Sequence, residues 1–241
     1  MAIWTELARA GNDAGDEILL RQRGDIYEIR YNGLELMSNV NFQSEIVLAE
    51  RSLRFLNHTP KRILIGGLGM GFTLRAALDF VPQDTQITVC ELVPEIVEWN
   101  RSLIGHLADH PIRDHRVELQ VGDVMETLRQ RPAAYDLILM DTDNGPDFLV
   151  REQNNAIYSG GGLAVLGRAL TTTGAASFWS ATTSSKFERM LDAERWNWNR
   201  HDICLIGGRA DAFHYVYSVN RSAKTVLQSK KNSSPRQTVS A

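Results

Sequence analysis

Four places in this sequence combine reactive or ligand-binding residue types with the end of a strand-forming run. The run RILI ends in Gly66-Gly67-Leu68-Gly69-Met70-Gly71, QITVC ends in Glu91, VELQV ends in Gly122-Asp123, and YDLILM ends in Asp141. Glycines let the backbone turn sharply and approach a ligand with no Cβ in the way. A helix that follows such a turn, here from Phe72, aims its first amides at whatever binds there. Glu91 lies 20 residues beyond Gly71, where an acid accepts hydrogen bonds from the hydroxyls of a ribose. Asp123 could accept from an adenine amino group. Asp141 follows the buried-looking run LILM and is followed by Thr142-Asp143-Asn144-Gly145-Pro146.

Each position also has a purely structural reading. The glycines could make a tight strand-to-helix connection. Glu91 could favour the helix opening at Pro94 through its dipole, Asp123 could be the N-cap of VMETL, and Asp141 and Asp143 could belong to a polar turn before Gly145-Pro146. The glycine spacing narrows the ligand. A dinucleotide fingerprint reads G-x-G-x-x-G, so that a pyrophosphate rests on the helix N-terminus. From Gly67 this chain reads G-x-G-x-G and then Phe72. A bulky Phe72 is awkward against a pyrophosphate but compatible with a ligand lacking phosphate, which points to an adenosyl sulfonium, S-adenosylmethionine or a close relative, held by Gly67, Gly69, Gly71, Glu91 and Asp123.

These positions need a scaffold, and the pattern supplies one. From Lys61 onward, strand-like and helix-like runs alternate: RILIGG, FTLRAALDF, QITVCEL, PEIVEWNRSLIGHL, VELQVGD, VMETLRQ, YDLILMD, GLAVLGRAL, ASFWSA and KFERMLDAERW, closing with HDICLIG and AFHYVYSVN. Repeated βα units imply an α/β fold, a doubly wound, mostly parallel Rossmann-like sheet with right-handed crossovers, and the last two runs suggest an antiparallel edge. Ligands of such sheets bind beyond the carboxyl ends of the strands, where the four acidic and glycine-rich positions fall. Ahead of this lies a small antiparallel meander, ILLRQR, IYEIRY and LELMSN, with Asn32-Gly33 suited to a type I′ turn. A helix, EIVLAERSLRFL, connects the two. The expected organisation is an N-terminal segment with the meander over residues 1–42, an α/β domain over 43–221 and a disordered polar tail over 222–241.

Composition sets the remaining bounds. The 241 residues are 43% hydrophobic and 23% charged, with a net charge of −3, so nothing marks a nucleic-acid or anionic-membrane binder. No apolar stretch approaches the roughly 20 residues that span a bilayer, and the N-terminus lacks the pattern of a signal peptide. Cys90 and Cys204 lie in apolar runs and read as buried thiols in a reducing, cytoplasmic compartment. His106, His110 and His115 with Asp109 and Asp114 fall in a connection on the side away from the ligand edge and read as a solvated loop, so no metal site is expected. Ser180 has neither a partnering histidine nor a G-x-S-x-G context, which removes hydrolase chemistry. Trp179, at the end of a strand on the ligand edge, reads as a pocket wall or as core.

Taken together, the meander, the GG-x-G-x-G turn, Glu91, Gly122-Asp123, the segment YDLILMDTDNGP and Tyr158 ahead of a helix resemble the spermidine synthase family, within the class I methyltransferase fold. The resemblance runs from about Ile26 to Asn220. It implies transfer of an aminopropyl group from decarboxylated S-adenosylmethionine to a small-molecule amine acceptor, releasing methylthioadenosine, with Asp141 as orienting group and general base and Asp143 as a second acid for a remote ammonium. It also implies substrate contacts from Gln43, Asn144 and Tyr158 and a homodimer joined through the meander, and Trp179, by its place at the ligand edge, is a further candidate for substrate contact. Gly69 stands where the family usually carries an aspartate facing the aminopropyl amine, and Asn144 stands where the second acid of a D-x-x-D loop would be. An Asn donates a hydrogen bond but brings no charge. Without an acid at position 69, intact S-adenosylmethionine becomes admissible, so a small-molecule methyltransferase is the second reading and a non-catalytic ligand-binding scaffold the third.

Overall fold

In the computed structural model the described residues are 2–11, 15–142, 144–147, 152–205 and 213–221. The expected tail, 222–241, and Asp143 lie outside them. The amino-terminal strands are β1 (Thr5–Gly11), β2 (Glu17–Arg23), β3 (Ile26–Tyr31) and β4 (Leu34–Ser38), paired antiparallel in sequence order. Asn32 and Gly33 both have positive φ, 47° and 79°, as a type I′ hairpin requires. β1 extends the expected three-stranded meander to four. Its sequence TELARAG is poor in the β-branched and aromatic residues that mark strands, and it is held instead by pairing with β2 and by Arg9, which bonds Glu6 and Glu17. Trp4, just before it, lies under the guanidinium groups of Arg21 and Arg23, 4.1 and 4.7 Å from the ring centre.

Helix α1 (Gln43–Leu56) leads into the main sheet. There β5 (Arg62–Gly66), α2 (Phe72–Phe80), β6 (Gln86–Glu91), α3 (Pro94–Ser102), β7 (Val117–Val121), α4 (Val124–Gln130), β8 (Tyr135–Met140), α5 (Gly160–Ala169), β9 (Leu170–Ser180), α6 (Ser185–Ala193), β10 (Trp196–Cys204) and β11 (Phe213–Arg221) follow in turn. The seven strands lie in the order β10-β11-β9-β8-β5-β6-β7; β5 to β9 are parallel, and β11 runs antiparallel between β9 and β10. This is the expected doubly wound sheet with an antiparallel edge.

The central strands are buried on both faces, which explains their unbroken apolar runs. Ile63 and Ile65 of β5 pack with Leu48, Leu74 and Ile96 from α1, α2 and α3. Leu64, on the opposite face, packs with Leu128, Leu163 and Leu191 from α4, α5 and α6. Strand order reverses between the parallel neighbours β5 and β8, with β6 and β7 added on one side and β8 and β9 on the other, so their carboxyl ends open the crevice in which doubly wound sheets bind ligands. Two local expectations change. Cys90 is buried but Cys204 is exposed, because β10 is an edge strand. The histidine-bearing connection after α3 does not lie away from the ligand edge: His106 meets the Tyr27 ring edge-on at 5.6 Å, and Pro111 and Ala108 crowd Gly71. No cluster of metal-ligating side chains is found among the described residues, and none of their helices is long and apolar enough to cross a membrane.

Candidate active site

The glycine turn is shaped by what stands beside it. Gly67 has φ +92°, and a Cβ there would lie 2.1 Å from the backbone oxygen of Asp141. Only glycine lets the turn after β5 lie against the turn after β8, where Asp141 N donates to Gly66 O at 2.8 Å. Gly69 has φ +51°, and a Cβ on it would meet the Met37 sulfur at 2.5 Å. That thioether reaches in from β4 and accepts from the Met70 amide at 3.1 Å. Gly71, the third glycine, is the N-cap of α2 and faces Pro111 rather than the cavity.

Glu91 ends β6 almost fully buried. Its oxygens accept backbone amides, Leu68 N on Oε2 and Val93 N on Oε1, both at 2.8 Å. Burial pushes its carboxyl upward in pKa, opposed by those amides. Gly69 and Leu92 add further backbone amides to this carboxyl, which also borders the cavity, where it can meet a ribose diol. The structural and ligand-binding readings of Glu91 are therefore compatible. Asp123 shows the same duality: one oxygen caps α4 by accepting Met125 N at 2.7 Å, and the residue borders the cavity.

A cavity of about 330 Å³ connects these positions. Gly67, Gly69, Glu91, Asp123, Asp141, Asn144 and Trp179 all line it, along with Thr73, Thr142 and, from the amino-terminal sheet, Tyr31, Leu36 and Met37. Asp141 accepts from Thr73 Oγ1 at 2.6 Å, and burial raises its pKa to about 6 against that hydrogen bond. Trp179, 9% exposed, packs edge-on against His214 at 4.6 Å. Its indole nitrogen has no hydrogen-bond partner among the described residues. Gln43 and Tyr158 do not border the cavity. Tyr158 is buried beneath the sheet among Phe178 and Phe187, 5.9 and 5.5 Å away.

Two further residues of the cavity, Glu45 and His214, are not among the expected site residues. Glu45 is 8% exposed; burial first, then the nearby Asp141 charge, raise its pKa to about 8. Ser44 Oγ lies 2.5 Å from Glu45 Oε2 and 2.9 Å from His214 Nδ1. Burial holds His214 down at about 4, so its ring is neutral near pH 7. Glu45 was visible in principle: the buried stripe of α1 is Glu45, Leu48, Ala49, Ser52 and Leu56, helical spacing in which the acid occupies an inward position.

The model of the spermine/spermidine synthase domain matches residues 48–184, more than half of the chain. The chain belongs to this family. Among curated relatives, the spermidine synthase of Dictyostelium discoideum is 33% identical over 93 residues, covering 37% of this chain and 31% of that protein. Polyamine aminopropyltransferase 2 of Bacillus cereus is 28% identical over 159 residues, 58% of this chain and 41% of the relative. The matched stretches thus span well under half the length of these relatives. Among solved structures, the spermidine synthase from Thermotoga maritima superposes with a TM-score of 0.69 at 17% identity, over 89% of this chain and 72% of that one. A spermidine synthase in complex with the transition-state analogue AdoDATO gives 0.73 at 18% identity, over 95% and 80%. These likenesses establish the shared fold, amino-terminal sheet included, as the sequence resemblance implied.

Proposed function

We propose that the protein is a transferase that moves an aminopropyl-type group from decarboxylated S-adenosylmethionine to an amine. The observation that carries this reading is the charge of the cavity. Glu35, Glu45, Glu91, Asp123 and Asp141 border it, and no lysine or arginine does so among the described residues. Such a cavity suits a cationic ligand pair, a sulfonium and an ammonium, and repels anions. Glu91 takes the ribose hydroxyls and the free oxygen of Asp123 the adenine amino group, while Gly67 and Gly69 let the nucleoside lie against the backbone.

The acceptor enters as an ammonium, which has no lone pair. Asp141, poised near 6, accepts one of its protons. The amine nitrogen then attacks the methylene next to the sulfonium. A C–N bond forms, the C–S pair leaves with sulfur, and the products are methylthioadenosine and a substituted ammonium. Much of the acceleration comes from holding nitrogen and carbon in line. Trp179 walls the acceptor side, with Asn144 beside it.

Methyl transfer from intact S-adenosylmethionine is the second reading, favoured by Gly69, which leaves the donor arm without a facing acid. Offering both donors with a panel of amines, followed by mass analysis, separates the two. Methylthioadenosine is the expected by-product; S-adenosylhomocysteine in its place overturns the first reading. Asp141→Ala should abolish turnover while nucleoside binding persists, whereas a scaffold would lose nothing. The same reading includes a cytoplasmic homodimer joined through the amino-terminal sheet, tested by light scattering.

A further inference from the structure

We propose that Glu45 is a further acid of this site, and that with Asp141 it receives the ammonium end of the amine acceptor. The inference rests on the transfer reading above and names an acid that the motifs did not single out. At the two positions where the family pattern carries further carboxylates this chain has Gly69 and Asn144, with Asp143 one residue early and outside the described residues. Glu45 reaches the same cavity from the first turn of α1.

Its carboxyl is held in place. The Ser44 hydroxyl has one proton; if it is donated to Glu45 Oε2 at 2.5 Å, the hydroxyl accepts from His214 Nδ1 at 2.9 Å. Across the cavity Thr73 fixes Asp141 Oδ2 in the same manner. Each acid therefore has a hydroxyl partner, and no ion pair to either is formed among the described residues. His214 is neutral and supplies no compensating charge. The other titratable groups around the cavity among the described residues are Glu35, Glu91, Asp123, Tyr31 and Cys90, whose thiol burial pushes up. Trp179 adds an independent sign that a ligand completes this wall, since its buried N–H has no acceptor among the described residues.

Two neighbouring carboxylates in a poorly solvated cleft do not both ionise readily, so the empty pair retains a proton near neutrality. An entering ammonium supplies the missing positive charge and three N–H donors. The shared proton leaves to water as the cation binds. Asp141 then removes one proton from the ammonium, the neutral nitrogen forms the C–N bond, and the C–S electron pair goes to sulfur. Amine affinity accordingly rises with pH up to about 8, the value for Glu45.

The test is calorimetric titration of putrescine into protein saturated with methylthioadenosine, at pH 7 in two buffers of different ionisation enthalpy. The wild type should release close to one proton per amine bound. Glu45→Gln should bind putrescine about tenfold more weakly or worse, through loss of a charge-assisted contact, and release almost none, with methylthioadenosine affinity retained and Tm no lower than wild type. Glu45→Asp, which keeps the charge, should recover part of the binding. Putrescine affinity and proton release unchanged in Glu45→Gln would overturn the proposal while leaving the transfer reading intact. A wild type that yields S-adenosylhomocysteine and binds no putrescine would remove both.

Discussion

The contact between Met37 and Gly69 makes the most specific prediction. Gly69→Asp restores the acid that the family usually carries in this turn, but the structure has filled its place. At φ +51° an aspartate costs about 1 kcal/mol, since Asp tolerates the left-handed region better than most residues. Its Cβ cannot lie 2.5 Å from the Met37 sulfur, so the thioether must turn away. It then gives up its contact with the Met70 amide and adopts a poorer rotamer, about 1 kcal/mol more. The single substitution should therefore destabilise by about 2 kcal/mol, a fall in Tm of roughly 4–8 °C for a chain of this size. Met37→Ala alone, at a half-buried site, should cost about 1 kcal/mol. In the double variant there is no thioether to displace, so the total should be about 2 rather than about 3 kcal/mol, a coupling of about 1 kcal/mol. Urea unfolding of the four proteins measures this. Additivity within about 0.3 kcal/mol would refute the claim that Met37 occupies the space of a side chain at position 69. Donor choice gives a second readout: the double variant should prefer decarboxylated over intact S-adenosylmethionine by about tenfold more than wild type, because the new acid repels the donor carboxylate.

Two other consequences can be checked directly. Asp123→Ser keeps an N-cap for α4 and should hold stability within about 0.5 kcal/mol while nucleoside affinity falls severalfold; Asp123→Ala should lose about 1 kcal/mol as well, and unchanged nucleoside affinity in both would reduce Asp123 to a cap. Asp141 and Glu45 are raised to about 6 and about 8, so their contribution to the stability of the ligand-free protein is fully present below their unfolded values and is lost as pH rises through the folded ones. His214, lowered to about 4 from 6.5, acts oppositely and has finished titrating by neutrality. Between pH 7 and 9 the wild-type Tm should therefore fall more steeply than that of Glu45→Gln, and equal slopes in a thermal melt series would contradict the burial of Glu45.

Which parts of this were legible in the sequence follows from how local the signals are. The βα alternation, the Asn32-Gly33 hairpin and the acids ending β6, β7 and β8 are consequences of strand periodicity and turn chemistry, and all are found where the pattern put them. β1 escaped because its residues have weak strand propensity and its stability comes from pairing with β2. The placement of the connection after α3 depended on packing against Tyr27 and Gly71, a contact between distant segments. Tyr158 was singled out by position ahead of a helix, yet its ring packs with Phe178 and Phe187 in the core of the opposite face. Met37 and His214 reach the cavity from elements far from the motifs in sequence, and nothing in either local pattern points to a ligand.

The boundary of the family match clarifies why the substrate is harder to read than the fold. Residues 48–184 contain the glycine turn, Glu91, Asp123 and Asp141, the positions suited to a nucleoside and to a proton acceptor at the reacting nitrogen. Met37, Glu45 and His214 all fall outside that segment, and they border the same cavity. On the transfer reading proposed above, the wall formed by β4, the first turn of α1 and the start of β11 is the part of the cavity that meets the donor's variable arm and the acceptor. In that wall the Met37 thioether fills the room at residue 69, and Glu45 is a buried acid close enough to Asp141 to feel its charge. An acid removed from the donor side and one presented beside Asp141 shift the cavity's negative charge toward the acceptor. On this arrangement, discrimination among amines should be stricter than discrimination between the two donors.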